Sequence, residues 1–279
     1  MLFEEEVCGF LADNDMKCRM ERAEGFTVLI DMDRNVVTVP VQVRSAAPED
    51  ADRENIRLRT LLERIEPFRK TVVLPEDLWR SHGAMMRARL LAQHGRFRAV
   101  FARNTSARRI TADIAAGFLG QCHTYGDASS RYRYGLFTKD GEMVAAASFS
   151  SGRTWLKNGM KIRSHEWVRY ASLPETRVVG GMGKILQAFI RDVRPDDVMS
   201  YADLEWTDGK VYEKLGFVED GFREPVLFSV DAETWKRHPV KLPAEADGEA
   251  GKLFHKNLGS RKYRLKLYRT EENSPLLNR

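Results

Sequence analysis

The segment that decides the fold is a glycine-rich turn, Arg177-Val178-Val179-Gly180-Gly181-Met182-Gly183-Lys184. It follows a strand-like run at 162–173 and precedes residues 184–193, whose apolar side chains recur at helical spacing. Glycines at a strand-to-helix junction permit positive φ angles and close approach of a ligand to the backbone. The helix that follows offers unpaired N–H groups and the positive end of its dipole to a phosphate. The turn therefore favours a phosphate-binding site, although such turns also occur without a ligand.

The elements predicted around this turn alternate between strands and helices. Thr111 is placed to cap a first helix, Pro195 to end a second and Gly216 to close a third. In this half of the chain we predict helices at 113–123, 184–193 and 208–215, and strands at 98–103, 132–137, 143–149, 162–173, 198–204, 225–230 and 263–268. This order predicts an α/β fold in which helices cover a single mixed sheet.

The first hundred residues carry an α/β pattern of their own. β-Branched runs at 26–30 and 36–43 suggest a hairpin, followed by a helix over 56–65, a strand at 71–74 and a helix from residue 75. The apolar residues of the helix over 56–65, which include Ile56, recur close to helical spacing, and Ile114 belongs to the apolar face of the helix at 113–123. Shifts of composition, one of them a loop at 241–251, mark the boundaries. We predict an additional N-terminal α/β domain over 1–100, a second domain over 101–270 and a tail over 271–279.

Composition limits the classes of function. The 279 residues include 45 basic and 40 acidic side chains, for a net charge of +5, which is a weak basic bias. No apolar run is long enough to span a membrane, and the acidic start is unlike a signal peptide, so we expect a cytoplasmic protein without a membrane partner. The three cysteines show neither disulfide nor metal spacing. A basic cluster is either a solvated strand face or a phosphate-facing surface; it consists of Arg261, Lys262, Arg264, Lys266 and Arg269.

Two motifs resemble those of the GNAT N-acyltransferases. The segment GGMGKIL at 180–186 is similar to the end of the R/Q-x-x-G-x-G/A loop that grips the pyrophosphate of acetyl-CoA, and VYEKLGF at 211–217 is similar to the later A-x-x-x-Y-x-x-L-G-F segment. They occur in the family's order, separated by one helix and one strand. The sequence departs from the pattern at Val178, where arginine or glutamine is usual, and Arg177 lies one residue earlier. The resemblance implies a GNAT-like acyltransferase fold, acetyl-CoA or another acyl-CoA as cofactor, and acyl transfer to an amine.

The same resemblance suggests which residues bind the cofactor. In these enzymes a backbone N–H on the long central strand faces the acyl carbonyl oxygen, and the glycine turn faces the pyrophosphate. The positions implied here are Val168, Arg177, Val179, Gly180, Gly181, Met182, Gly183 and Lys184.

Three side chains are candidates for the catalytic chemistry, because acyl transfer to an amine needs a base and an acid. Glu166 is the candidate base; its alternative is an ion pair with Arg169, which a strand bulge brings towards the same face. Tyr212 corresponds to the family tyrosine beside the cofactor sulfur and is the candidate acid; otherwise it is a packed tyrosine with a bonded hydroxyl. Asp203 either binds the substrate amine or caps a strand end.

Two further resemblances widen the range of functions. Residues Glu166 to Arg169, the glycine turn and the segment SYAD at 200–203 resemble proteins related to the phage Mom DNA-modification enzymes, which implies nucleic acid as a partner. Residues 71–95 are similar to the closing strand and helix of very-short-patch-repair endonucleases. Such nucleases need clustered acidic residues to hold Mg²⁺. Asp31 and Asp33 are the only suggestive pair in the first hundred residues, and turn aspartates are the plainer interpretation. The alternatives to a small-molecule N-acyltransferase are therefore a base-modifying protein and an inactive scaffold that binds a partner.

Overall fold

The chain divides into two compact units, each built from several segments. The structure is a computed structural model that describes residues 2–65, 69–157, 159–240 and 251–268. The first unit combines Met1–Phe97, Ala202–Gly209 and Phe222–Arg261, and the second combines Arg98–Tyr201, Lys210–Gly221 and Lys262–Arg279. The predicted tail, Arg269 and residues 241–250 of the predicted loop lie outside the described residues. The predicted domain limits at residues 100 and 270 remain predictions.

The elements in chain order are α1 (Phe3–Asp13), β1 (Cys18–Ala23), β2 (Phe26–Asp31), β3 (Val36–Val41), α2 (Pro48–Arg64), β4 (Lys70–Pro75), α3 (Glu76–Ser81), α4 (Gly83–Gln93), β5 (Arg98–Phe101), a 3-10 turn (Ala102–Asn104), β6 (Ser106–Arg109), α5 (Ala112–Cys122), β7 (Tyr132–Phe137), β8 (Met143–Phe149), β9 (Arg153–Lys157), β10 (Met160–Ser172), β11 (Thr176–Val179), α6 (Gly181–Val193), β12 (Asp197–Asp203), α7 (Lys210–Lys214), β13 (Val218–Arg223), β14 (Leu227–Asp231), β15 (Arg237–Pro239), β16 (Lys252–Lys256) and β17 (Ser260–Lys266).

The first unit contains a sheet of order β1-β2-β3-β4 and a three-stranded sheet of order β15-β14-β16. β1, β2 and β3 run antiparallel, whereas β4 runs parallel to β3. All residues of β2 and β3 are buried, as their β-branched composition suggests. Leu58 and Leu61 of α2 pack on one face of this sheet with Val73.

Two isoleucines that the sequence places on apolar helix stripes, Ile56 and Ile114, lie outside the buried stripes of their helices. The side chain of Ile56 is 64% exposed and that of Ile114 is 48% exposed. α2 begins at Pro48, earlier than predicted, and its buried stripe contains Ala51, Asn55, Leu58 and Leu61, which excludes position 56. In α5 the buried stripe contains Ala115, Phe118 and Leu119 instead.

The second unit is built on a mixed sheet with the path β13-β17-β12-β10-β8-β7-β6, and β9 pairs with the free part of β10. A separate parallel pair joins β11 to β5. Phe189 of α6 stacks on Phe149 of β8, with ring centroids 4.0 Å apart. On another face, Phe118 and Leu119 of α5 pack with Ala146 and Ala171. These contacts hold β10 and α6, the two elements on either side of the segment that contains the glycine turn.

The predicted mixed α/β class is confirmed, but the prediction of a single sheet is wrong. β14, predicted as a strand of that sheet, pairs with β15 and β16 instead. Short strands such as β6 and β11 have too few residues for a clear period, so no pattern in the sequence predicts them. None of the described helices is long and apolar enough to cross a membrane.

Candidate active site

The parallel strands β10 and β12 separate along their length. Their ladder pairs Ser164 with Asp197 and ends with Glu166 opposite Met199, although β10 continues to Ser172. Beyond this point the side chain of Ser200 on β12 connects the two strands. Its hydroxyl donates to the carbonyl oxygen of Trp167 on β10 at 3.0 Å. Where two strands separate, their backbone N–H and C=O groups become available to other partners. Beyond Glu166 and Met199, β10 and β12 are therefore no longer paired with each other in the middle of the sheet.

A β-bulge lies at the same place on β10. Trp167 pairs with Phe149 of β8, and Arg169 pairs with the preceding residue, Ser148, so Val168 is the extra residue. A bulge therefore lies between Glu166 and Arg169, as the ion-pair alternative for these two residues requires. Bulges redirect side chains and backbone groups locally, and they are common beside active sites.

Glu166 has a fixed backbone and an available carboxylate. Its N–H donates to Ser150 Oγ at 2.8 Å, and its carbonyl oxygen accepts from the Ser150 N–H at 2.9 Å. The side chain is half-buried, and its carboxylate makes no hydrogen bond or ion pair with any residue in the described part of the chain.

Arg169, the alternative partner of Glu166, is engaged elsewhere. Its guanidinium donates to the carbonyl oxygens of Gly126 at 3.2 Å and of Val168 at 3.0 Å. Burial lowers the pKa of Arg169, and the charge of Glu166 opposes this shift. The two charges therefore interact through space without forming a closed ion pair, and the Glu166 carboxylate stays available for a ligand.

Tyr212 is held by its hydroxyl and by its ring. The hydroxyl lies 3.0 Å from Ser200 Oγ, and the ring stacks on Tyr263 with centroids 5.2 Å apart. Because Ser200 already donates to Trp167, Tyr212 is the donor in its contact with Ser200. Burial raises the pKa of Tyr212, and its hydrogen bond with Ser200 opposes this shift. Ser200 was not predicted as a site residue; the only signal for it was a small polar residue at a buried position of a strand.

Asp203 is the last residue of β12 and belongs to the first unit. Its carboxylate accepts from the Glu205 N–H at 3.0 Å. Burial raises the pKa of Asp203 to about 6, and the negative charge of Glu205 adds to this rise. A role for Asp203 in binding the substrate remains a prediction.

The glycine turn begins α6 with a left-handed residue. Gly180 is the N-cap with φ 77°, a conformation that side-chain-bearing residues rarely adopt. A Cβ atom on Gly181 would lie 2.6 Å from the Tyr170 hydroxyl and 2.9 Å from the Val178 side chain. One on Gly183 would lie 3.2 Å from Leu215. Local packing therefore already requires glycine at 181, whether or not a ligand binds.

The other predicted cofactor residues occupy different environments. The Lys184 ammonium donates to the carbonyl oxygens of Ala102, at 2.7 Å, and Thr105, so it ties α6 to the preceding 3-10 turn. Burial alternates along β11: Val178 is buried, whereas Arg177 and Val179 are exposed. Met182 is half-buried at the start of α6. These residues lie at or next to the turn, and their roles in binding a cofactor remain predictions.

The acidic pair considered for a nuclease metal lies in the first unit. Asp31 ends β2 fully buried, and its carboxylate lies 2.9 Å from His94 Nδ1 and 3.3 Å from an Arg34 nitrogen. On its other side His94 contacts Thr38 at 3.1 Å. Among the described residues, no group of three or more acidic, histidine or cysteine side chains could hold a metal ion. Asp31 is therefore a core residue with satisfied contacts.

The basic cluster on β17 is largely paired with acidic side chains. Arg264 contacts Asp197 and Asp220, each at 2.8 Å, and Lys262 contacts Asp220 at 3.1 Å. These contacts favour an ion-paired strand face over a phosphate-facing surface.

The chain resembles known proteins in structure but not in sequence. No protein-family model matches the sequence, and no curated protein matches it significantly. Similar solved structures include the spermidine/spermine N-acetyltransferase SpeG of Vibrio cholerae, with 10% identity, TM-score 0.38, and coverage of 59% of this chain and 94% of that one. A histone acetyltransferase HPA2-related protein of Corynebacterium glutamicum has 12% identity, TM-score 0.31, and coverage of 50% and 66%. Eis1 of Mycobacterium abscessus has 12% identity, TM-score 0.34, and coverage of 46% and 34%. All three TM-scores are below 0.5.

Proposed function

We propose that this protein is a GNAT-type N-acyltransferase that transfers an acyl group from acetyl-CoA or another acyl-CoA to an amine. The observation that carries the proposal is the separation of β10 and β12 after Glu166 and Met199, beside the bulge at Val168. A slot in the middle of a sheet can receive an extended ligand and offer it backbone hydrogen bonds. The adjacent helix start suits the phosphate end of the same ligand.

The residues around the slot fit an acyl-CoA. The first N–H groups of α6, at Gly181 to Gly183, have no acceptor within the helix and are available to a pyrophosphate. The Val168 N–H at the bulge is the candidate donor to the acyl carbonyl oxygen. Lys184 supports the turn from behind, because its ammonium already has two carbonyl partners. Acyl-CoA, when bound, supplies the activated acyl group.

Two side chains carry the proposed proton transfers. The Glu166 carboxylate accepts a proton from the substrate amine, directly or through water, because no described side chain occupies it. The Tyr212 hydroxyl keeps its proton at neutral pH, since burial raises its pKa, and can donate to a thiolate leaving group. Ser200 positions Tyr212 and holds the two strands at their separation.

Acyl transfer can be tested by following acetyl-CoA-dependent thiol release with a panel of primary amines, including polyamines and peptide N-termini. We expect at least one amine to increase the release of coenzyme A in proportion to enzyme concentration. Loss of the release in the Glu166→Gln variant, with activity retained in Glu142→Gln, would support the assignment. Glu142 is a suitable control because it forms an exposed ion pair with Arg98 in the same unit.

An inactive GNAT-like scaffold is the second candidate, and a specific observation favours it. Gly181 and Lys184 are both explained by contacts within the chain, so the turn is complete without a ligand. A ligand that binds the folded state must raise its stability. Absence of any shift of the melting temperature at millimolar acetyl-CoA would favour the scaffold.

Base modification on nucleic acid, the finer alternative, has less support in the second unit because Arg264 and Lys262 are paired with carboxylates. If it applies, DNA binding should weaken steeply with added salt, since phosphate contacts release counterions.

A further inference from the structure

A cleft of about 890 Å³ lies in the first unit and shares no residue with the site described above. One wall is a face of α2 at i, i+3, i+4 and i+7 spacing: Asp50, Arg53, Glu54 and Arg57. The other walls come from the β1–β2 turn, the end of β3 and the segment that follows it. Its volume is within the range of sites that bind small molecules.

Arginine is the most frequent residue type in the cleft. Arg22, Arg44, Arg53 and Arg57 all line it and are exposed. Arg53 pairs with Asp50. Arg57 lies over the Phe26 ring, 5.9 Å from its centroid. Arg22 and Arg44 make no hydrogen bond or ion pair with the part of the chain that the structure describes.

The carboxylates of the cleft do not cancel this positive charge. Glu4 contacts the Gln42 amide, so part of its hydrogen-bonding capacity is used within the wall. Burial raises the pKa of Glu54, while His255, Arg57 and Arg44 oppose the rise. Glu54 also accepts from Ser45 Oγ at 3.4 Å. The charge of Asp50 balances that of Arg53. The remaining charged groups of the cleft are the guanidinium groups of Arg22, Arg44 and Arg57 and the carboxyl groups of Glu4 and Glu54, and burial disfavours the charged form of Glu54.

The cleft also has an apolar part. Ile56, an apolar residue that the α2 stripe leaves out of the core, is 64% exposed at its edge, and Phe26 and Pro40 line it. Gly25 has φ 83°, and a Cβ there would lie 3.2 Å from an Arg57 nitrogen, so glycine leaves room for this guanidinium. The arginines of the cleft therefore adjoin the exposed side chain of Ile56.

We propose that this cleft binds a phosphate-bearing small molecule of nucleotide size. Arg22, Arg44 and Arg57 hold its phosphates, and Ile56 contacts its apolar part. One guanidinium group can donate two hydrogen bonds to a phosphate, and the guanidinium groups of Arg22 and Arg44 make no hydrogen bond or ion pair with the described part of the chain. The inference is independent of the proposed acyl transfer, because it uses residues of the first unit alone.

The test is calorimetric titration of the full chain with ATP, pyrophosphate, citrate and adenosine. We expect saturable binding of ATP, weaker binding of pyrophosphate, and at least tenfold weaker binding of adenosine and citrate. The double variant Arg22→Gln/Arg44→Gln should weaken ATP binding at least tenfold. Arg96→Gln is the matched control, because Arg96 pairs with Asp15 outside the cleft in the same unit.

A second variant keeps the test informative if the double variant folds poorly. Ile56→Glu adds a negative charge at an exposed position, so it should leave the circular dichroism spectrum unchanged and still weaken ATP binding at least tenfold. Ile114→Glu, at another exposed isoleucine, should bind ATP as the unmodified chain does. Absence of ATP binding at millimolar concentration, equal binding of adenosine or citrate, or unchanged affinity in the folded cleft variants would overturn the proposal. Thiol release from acetyl-CoA is measured in parallel, and we expect the cleft variants to leave it unchanged. Failure of the cleft proposal can therefore be distinguished from failure of the proposed acyl transfer.

Discussion

At the residue scale, the available carboxylate of Glu166 is the group on which the proposed chemistry depends most. Its backbone is fixed by Ser150, so the side chain starts from a defined position. The Glu166→Gln variant should lower kcat by about 10²–10⁴-fold, the contribution typical of a general base. Because the carboxylate makes no described contact, the free energy of unfolding should change by less than about 0.5 kcal/mol. A large loss of stability with unchanged kcat would mean that Glu166 is structural.

Tyr212 and Ser200 can be separated by mutation. Tyr212→Phe removes the proposed acid and should lower kcat by about 10²-fold or more, whereas Ser200→Ala leaves the acid but removes its anchor and should lower kcat less. Each variant should also lose about 1 kcal/mol of stability through the lost hydrogen bond. Steady-state kinetics and urea unfolding measure the two effects. Equal small effects on kcat would mark Tyr212 as a packing residue.

Asp203 provides a pH prediction. Burial raises its pKa from 3.8 to about 6, so the folded chain binds this proton more tightly than the unfolded chain. Its stabilising contribution is fully present below about pH 4 and is lost as the pH rises to about 6. Asp203→Asn retains an acceptor for the Glu205 N–H, so it should be more stable than the unmodified chain at pH 7, by about 1–2 kcal/mol, allowing for partial exposure. Urea unfolding at pH 4 and pH 7 measures this difference, and a variant that is less stable at pH 7 contradicts it.

At the element scale, the start of α6 depends on backbone conformation. Gly180 has φ 77°, so Gly180→Ala should destabilise the protein by about 1–2 kcal/mol. Gly120 lies inside α5, and a Cβ there would meet nothing within 4 Å. Gly120→Ala should therefore stabilise by about 0.5–1 kcal/mol. Thermal unfolding measures both effects. Melting temperatures that shift in the same direction in Gly180→Ala and Gly120→Ala would contradict the requirement for glycine at position 180.

The same scale shows what the sequence can predict. α6 and the strand before the glycine turn were predicted because a long apolar stripe and clear breakers, including Pro195, mark them. The apolar spacing at 56–65 did not show the buried stripe of α2, because the helix starts earlier than its apolar residues suggest, at a proline that suits a first turn. The position of Ser200 opposite Trp167 could not be predicted, since it depends on how two strands separate in space.

At the scale of the whole molecule, the two units are interleaved along the chain. Trp206, far from the N-terminus in sequence, belongs to the same core cluster as Phe3 and Trp79. Asp77 forms a buried ion pair with Arg237, with oxygen–nitrogen distances of 2.5 and 2.6 Å. Shifts of composition along the chain can indicate only contiguous domains. They could not show that Ala202–Gly209, whose neighbours in sequence belong to the second unit, is part of the first. Partners so distant in sequence are set by the tertiary fold.

The central claim is that an acyl-CoA occupies the slot between β10 and β12 and contacts the start of α6. Hydrogen–deuterium exchange of the full chain with and without acetyl-CoA tests it most directly. We expect the ligand to slow exchange at the amides of Val168 and of Gly181 to Gly183, with little change elsewhere in the second unit. Unchanged exchange at these amides under saturating acetyl-CoA, or protection confined to other segments, would contradict the claim.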